Sequence, residues 1–168
     1  MIGRYVYLFA EVLMWDKLKK IAGFFWAAPV TLPGLVYAGL FGVLGWYRWH
    51  GAEGVALVWK VDDDACPEWL RSAWRAWAGH AIGNVIVIHV DPEDSESTLR
   101  HEMRHAEQCM RLGVFQPVMY GLNMLAIKLG CPDSDPYYSN PFEIDARRAA
   151  GQLIDVEGEI KKMKSGAS

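Results

Sequence analysis

No long basic stretch occurs in this chain, and its 17 Lys+Arg are outnumbered by 20 Asp+Glu, for a formal net charge of −3. That argues against a nucleic-acid partner, because phosphate binding needs concentrated positive charge. Cysteine is scarce: Cys66, Cys109 and Cys131 are odd in number and widely spaced. They make neither a disulfide framework nor a paired zinc-knuckle spacing, and they read as small buried apolar side chains. Length is short too. With 168 residues there is no room for a multidomain enzyme, only for one domain or a domain with an anchoring segment. What is abundant is apolar surface, 52% of residues against 22% charged, with eight Trp, enough to offset chain entropy by burial and so to argue against disorder.

Charge is missing altogether over one long interval. From Ile21 to Tyr47 there is no Asp, Glu, Lys or Arg, and as a helix this stretch would run about 40 Å, beyond the roughly 30 Å hydrocarbon core of a bilayer. Trp15, Trp26, Trp46 and Trp49, with Tyr47, bracket it as amphipathic rings do at headgroup level. Pro29 and Pro33 interrupt its first third and Gly34, Gly39, Gly42 and Gly45 thin the remainder. Three readings stay open: a single span, a Pro-broken hairpin in the membrane, and either an apolar hairpin buried under the domain or an apolar face covered by a partner chain of a larger assembly. Lys17, Lys19 and Lys20 before the run and acidic residues after it would set a single span with its N-terminus in the cytoplasm. A hairpin would return the chain to the same side, so the side of the membrane stays open. Met1–Lys20 reads as an apolar helix with a polar end, retained rather than cleaved, because its charges and the absence of a clean small-residue site do not fit a signal peptide. Residues 1–50 are thus expected to be a membrane-associated segment and 51–168 a separate domain, with Lys161–Ser168 a solvated tail.

Beyond Gly51 the pattern is α+β. Val55–Val61 (VALVWKV) and Val85–Val90 (VIVIHV) are β-branched runs of strand length, expected to pair antiparallel. Between them Pro67–Gly79 places Trp69, Leu70, Trp74 and Trp77 at helical spacing, with Arg71 and Arg75 on another side. This predicts one amphipathic helix with its tryptophans in the core. Asp91-Pro92-Glu93 starts a helix that Gly113 stops after Leu112. Gln116–Leu129, opened by Pro117 and closed by Gly130, is the next. Asn140-Pro141-Phe142-Glu143 begins a third, with Asn140 as N-cap.

The first of these helices carries His101-Glu102-Met103-Arg104-His105, an HExxH motif. Imidazoles at i and i+4 share a face about 6 Å apart, so both can ligate one zinc ion. Glu102, one position round, reaches a water on the metal rather than the metal itself, and is the candidate general base. Zinc needs a third protein ligand and an open fourth position. Glu143 has two readings: a capping-box residue reaching back to Asn140 and pairing with Arg147, or the third ligand, from a helix crossing behind the motif helix. Asp145 is the substitute candidate. Tyr137 or Tyr138, with Tyr138 preferred, is a candidate hydrogen-bond donor to an oxyanion, against packing as a loop aromatic. His80 and His89 read as structural, and His50 as an interfacial side chain.

Four stretches together resemble a family: APVTLPGL at Ala28–Leu35, HEMRHAEQ at His101–Gln108, LGVFQPVMY at Leu112–Tyr120 and YYSNPFEIDAR at Tyr137–Arg147. The region from Phe24 to Arg148 looks like small bacterial and phage-borne predicted zinc metallopeptidases of the gluzincin type. The resemblance implies zinc held by His101, His105 and Glu143, with Glu102 catalytic. It implies a minimal zincin-like core, a short antiparallel sheet with the HExxH helix and following helices, behind the apolar N-terminal segment. The expected function is hydrolysis of peptide bonds in a peptide or protein substrate aligned along Val85–Val90 as an edge strand. The alternative is a membrane-associated or phage structural or accessory protein whose metal site is structural or vestigial.

Overall fold

The structure, a computed structural model, describes residues 2–74, 77–89, 92–152 and 158, with side chains for all of these except 2–13, 73 and 92–95. The expected tail at Lys161–Ser168 lies outside them. Pro29 and Pro33 do not break the apolar segment. Helix α1 runs uninterrupted from Ile2 to Val43, about 63 Å at 1.5 Å per residue, so the hairpin alternatives fall. Its buried face is a row of small residues, Ala27, Thr31, Gly34 and Ala38, while Phe25, Leu32, Val36, Leu40 and Val43 point outward. The small row lets the helix backbone approach the sheet closely. A Cβ on Gly34 would stand 2.6 Å from the Ile82 carbonyl oxygen and 3.0 Å from Val85 Cβ.

Strands β1 (Tyr47–Glu53), β2 (Ala56–Val61), β3 (Gly79–Ile82) and β4 (Val85–Ile88) form one mixed sheet in the order β1-β2-β4-β3. The pairs β1–β2 and β3–β4 are antiparallel, and β2–β4 is parallel. The antiparallel pairing expected for the two β-branched runs is therefore corrected. The reason is the intervening four-residue strand Gly-His-Ala-Ile, too short and too mixed to read as a strand. It takes the antiparallel place beside β4 and turns β4 back into the direction of β2. The same strand displaces the edge: Val85–Ile88 is buried at all four positions in the sheet interior, and β3 is the edge beside it. Val90, the end of the expected strand, lies outside the described residues.

Helix α2 (Glu68–Trp74) is shorter than the predicted Pro67–Gly79, because Gly79 already belongs to β3. Leu70 is buried, but Trp69 and Trp77 are 69% and 57% exposed, so the tryptophan row is not the core stripe expected. One face of the sheet packs Ala56, Val58, Ile86 and Ile88 against Leu99 and Met103 of α3 (Pro92–Leu112). The other face carries α1. Helices α4 (Phe115–Gly130) and α5 (Pro141–Ala150) follow, completing, among the described residues, an α+β fold of a mixed four-stranded sheet and five helices.

The β3–β4 turn bolts these layers together. Gly83 takes φ 63°, and a Cβ there would stand 2.6 Å from the Thr31 backbone nitrogen, so the turn needs glycine both for its left-handed backbone and for room. Fully buried Asn84 donates its backbone N–H to Thr31 Oγ1 (3.1 Å) and its side-chain amide to the Val55 carbonyl (3.1 Å). On the α1 face the Tyr37 and Tyr47 hydroxyls lie 2.6 Å apart. His80 and His89 stack on Trp74 and on each other, joined by a 2.9 Å hydrogen bond between His89 Nε2 and His80 Nδ1. Burial holds both imidazoles neutral, pushing His80 down to about 4 and His89 to about 3.

Two outcomes follow from this packing. Gly34→Ala forces α1 off the sheet and should cost about 1–3 kcal/mol in chemical denaturation. Because His80 and His89 titrate lower folded than unfolded, the unfolded chain binds protons first, and stability present above about pH 6.5 is lost progressively as pH falls toward 4. Denaturation midpoints measured across that window should fall less steeply for His89→Phe than for wild type.

Candidate metal centre

Helix α3 has Pro92 at its first position, where the missing N–H is no loss. Ten residues on, its buried side presents His101 and Glu102, 7% and 6% exposed, with His105 one turn further. Helix α5 crosses behind. Asn140 caps it, its Oδ1 accepting from the Phe142 N–H at 3.1 Å, with Pro141 following, and Gly151 in the left-handed conformation ends it. The Asn140 side-chain amide also donates to the Tyr120 carbonyl of α4 (3.2 Å), so one cap fixes both the start of α5 and its distance from α4.

Glu143 is 3% exposed and does not close a capping box, since the Asn140 N–H bonds to the Tyr137 carbonyl instead. Its carboxylate lies 3.3 Å from His101 Nε2 and 3.2 Å from His105 Nε2. The ligand atoms of His101, His105 and Glu143 all lie within 4.8 Å of one another. The Arg147 pairing expected of Glu143 is present as well, at 3.5 Å. Asp145 goes elsewhere: it takes a two-pronged interaction from Arg104, at 2.8 and 3.0 Å, and a third bond from Gln108.

Two glutamines orient the imidazoles. Gln108 donates its amide N–H groups to the Phe142 carbonyl (3.0 Å) and to Asp145 (2.8 Å), which turns its oxygen to His105 Nδ1 at 2.9 Å. His105 therefore donates from Nδ1, and its Nε2 is the nitrogen that faces the site. Gln152 Oε1 lies 3.1 Å from His101 Nδ1. The two Nε2 atoms face each other across 3.1 Å. Glu143 Oε2 adds a buried acceptor without a hydrogen-bond partner. Two imidazole nitrogens and a carboxylate sharing one point are a donor set of the kind that can hold a metal ion such as zinc.

The close contacts between these groups shift their titration. Burial alone would raise Glu143, but the His101 and His105 imidazoles outweigh it and hold its carboxyl well below the usual range. Burial raises the Glu102 carboxyl, against the pull of His105 and His101. Burial would lower His105, yet its bond to Glu143 and the neighbouring carboxylates raise it. Above Glu102 lies β3: a Cβ on Gly79 would come 3.2 Å from Glu102 Cγ and 2.9 Å from Thr98 Cγ2.

Tyr120 was not singled out from sequence. It donates to Glu143 Oε1 at 3.0 Å, and burial followed by the Glu143 charge pushes its phenol well above the ordinary value, keeping it a donor. The Tyr138 ring lies against the Arg147 guanidinium at 4.5 Å, with Tyr137 on the same group at 5.0 Å. Tyr137 is pushed up by burial, then by Glu143, with Glu102 contributing. Of the residues the sequence missed, Gln108 had a signal, three positions after His105 on one helix face. Gln152 and Tyr120 had none, since their roles depend on how three helices meet.

Metal analysis of purified protein should find one bound divalent metal ion in wild type and none retained in His101→Ala or Glu143→Ala. Gln108→Ala leaves all three ligands but frees the His105 ring, and chelator competition should show metal affinity about 10–100-fold weaker.

No family model matches the chain, and comparison with the curated proteins and with solved structures gives no match. What stands is a His101–His105–Glu143 cluster able to bind a metal ion, in an arrangement consistent with a zincin-like site.

Proposed function

We propose that this chain is a zinc-dependent peptidase of the gluzincin type, with His101, His105 and Glu143 holding the ion and Glu102 as general base. One observation carries the reading: the Nε2 atoms of the two motif histidines converge with the buried Glu143 carboxylate, all ligand atoms lying within 4.8 Å of one another. Zinc bound there would supply a water of lowered pKa and an electrophile for a peptide carbonyl. Glu102 takes the proton of the attacking water as the water oxygen bonds to the carbonyl carbon. It then delivers that proton to the leaving nitrogen as the C–N bond breaks. A carboxyl raised by burial is better matched to this exchange near neutral pH than an ordinary one.

The substrate in this reading is an extended peptide or protein segment added along β3, which replaces Val85–Val90 as the aligning edge. Gly79 would let that strand lie close over Glu102. The oxyanion donor is assigned to the Tyr137–Tyr138 pair, both partly exposed beside Arg147. The outward apolar face of α1 supports membrane association.

A second reading rests on burial. With His101, Glu102 and Glu143 all under 8% exposed, a metal that serves folding, in a membrane-associated or phage structural or accessory protein, fits the same residues.

Glu102→Gln decides between them. In a peptidase it keeps its zinc while hydrolysis of a peptide library falls about 10²–10⁴-fold. Gly79→Ala, pressing on Glu102 from above, should keep zinc and lower the rate by up to about 10². Equal hydrolysis by wild type and Glu102→Gln, or none by fully loaded wild type, moves the site to the structural reading, and chelation then shows only as a lower melting temperature.

A further inference from the structure

Helix α4 presents a surface that neither the metal site nor the fold uses. Its inner side contributes buried Ile127, and the Tyr120 hydroxyl holds Glu143. Its outer side exposes Phe115, Val118, Leu122, Leu125 and Leu129, the last at 76%. No acidic residue occurs in α4, and its single charge, Lys128, stands in the last turn. Water-soluble helices turn this face inward.

Helix α1 shows the same inversion. Between Ile21 and Leu44 every side chain it exposes is apolar, while its inward row is Ala27, Thr31, Gly34 and Ala38. Small residues inside and large apolar residues outside is the pattern of helices packed in lipid, where close backbone approach rather than hydrophobic burial holds elements together. The two faces meet at the α3–α4 turn. A Cβ on Gly113 would stand 2.6 Å from the Trp26 indole nitrogen, and Trp26, Val114 and Phe115 are all exposed there.

We propose that the outer faces of α1 and α4 form one lipid-docking surface, on which the protein lies in the plane of a bilayer. Three features favour lipid over a protein partner. The surface offers almost no side-chain donors or acceptors, whereas protein interfaces carry roughly one hydrogen bond per 100–200 Å². Its margins are net cationic, Lys17, Lys19 and Lys20 against Asp16, which pairs with Lys19 at 3.9 Å, on α1, and Lys128 on α4, all exposed, as suits anionic headgroups. Neither helix is free to cross. At about 24 Å, α4 is shorter than the roughly 30 Å hydrocarbon core, and α1 is fastened to the sheet along the apolar stretch itself, through Thr31, Gly34 and Tyr37. Tyr120 then links the lipid-facing helix to Glu143, which sets the metal centre at the membrane surface. Only the consequence that the substrate is a juxtamembrane peptide rests on the peptidase reading, and no readout below involves hydrolysis.

The test uses the full chain with Cys131→Ser and Leu125→Cys carrying an environment-sensitive fluorophore, diluted from detergent into buffer or onto phosphatidylcholine vesicles with or without phosphatidylglycerol. Cys66 and Cys109 are buried and stay unlabelled. A fluorophore at Leu125→Cys should shift to the blue on vesicles and be quenched by a lipid-borne quencher, more strongly with phosphatidylglycerol and less in high salt. At Glu96→Cys, on α3 about 25 Å from the turn, it should stay aqueous. Leu122→Glu with Leu125→Glu, checked for retained helix content and metal, should weaken vesicle partitioning by about tenfold or more. A position 125 that stays aqueous on vesicles overturns the proposal. So does one that is already apolar without vesicles in a concentration-dependent way, which assigns the face to a second copy of the chain. If the double variant does not fold, the fluorophore pair decides alone.

Discussion

The Nε2 atoms of His101 and His105 stand 3.1 Å apart beside the Glu143 carboxylate, and much of the molecule is arranged to keep them so. Each ring has its other nitrogen committed to a glutamine oxygen. Gln108 is in turn committed to Phe142 and Asp145, and Asp145 to Arg104. Because Arg104 and Gln108 belong to α3 and Phe142 and Asp145 to α5, the network that orients a ligand also docks the two helices. The same bonds that hold the helices together set which nitrogen is free for metal.

The legible parts were those where a local rule decides. Proline at the first helical position and a glycine stop bounded α3, Asn140 bounded α5, and the i, i+4 histidines are a property of one helix whatever surrounds it. Glu143 stood at the edge of legibility, because a residue three after an N-cap satisfies a local and a long-range role equally well. Only the placement of α5 against α3 separates them. The direction of Val85–Ile88 was not legible at all. It turns on a four-residue strand containing glycine and histidine, with no alternation to betray it, and one unseen strand inverts the sense of the next.

The tryptophans misled for a related reason. Helical spacing of apolar residues normally marks an inward face, but here the chain leaves the helix before Trp77, and Trp69 faces solvent. In α1 the rule is turned over. Its inner face is chosen for size, since Gly34 must pass close to β-strand backbone, and large apolar side chains are left on the other side because nothing among the described residues covers them. Apolar content therefore located the helix correctly but could not say which way it faces.

The distribution of ligands along the chain has a consequence for maturation. His101 and His105 are made together on α3, but Glu143 arrives only after the whole of α4 and the loop beyond it, and Gln152 later still. Until α5 docks, the emerging chain holds a two-nitrogen site without its carboxylate and with loosely oriented rings, a weak and unselective trap for any divalent ion. A metal ion held by all three residues can thus be bound only at the last step of assembly, once α5 has docked on α3.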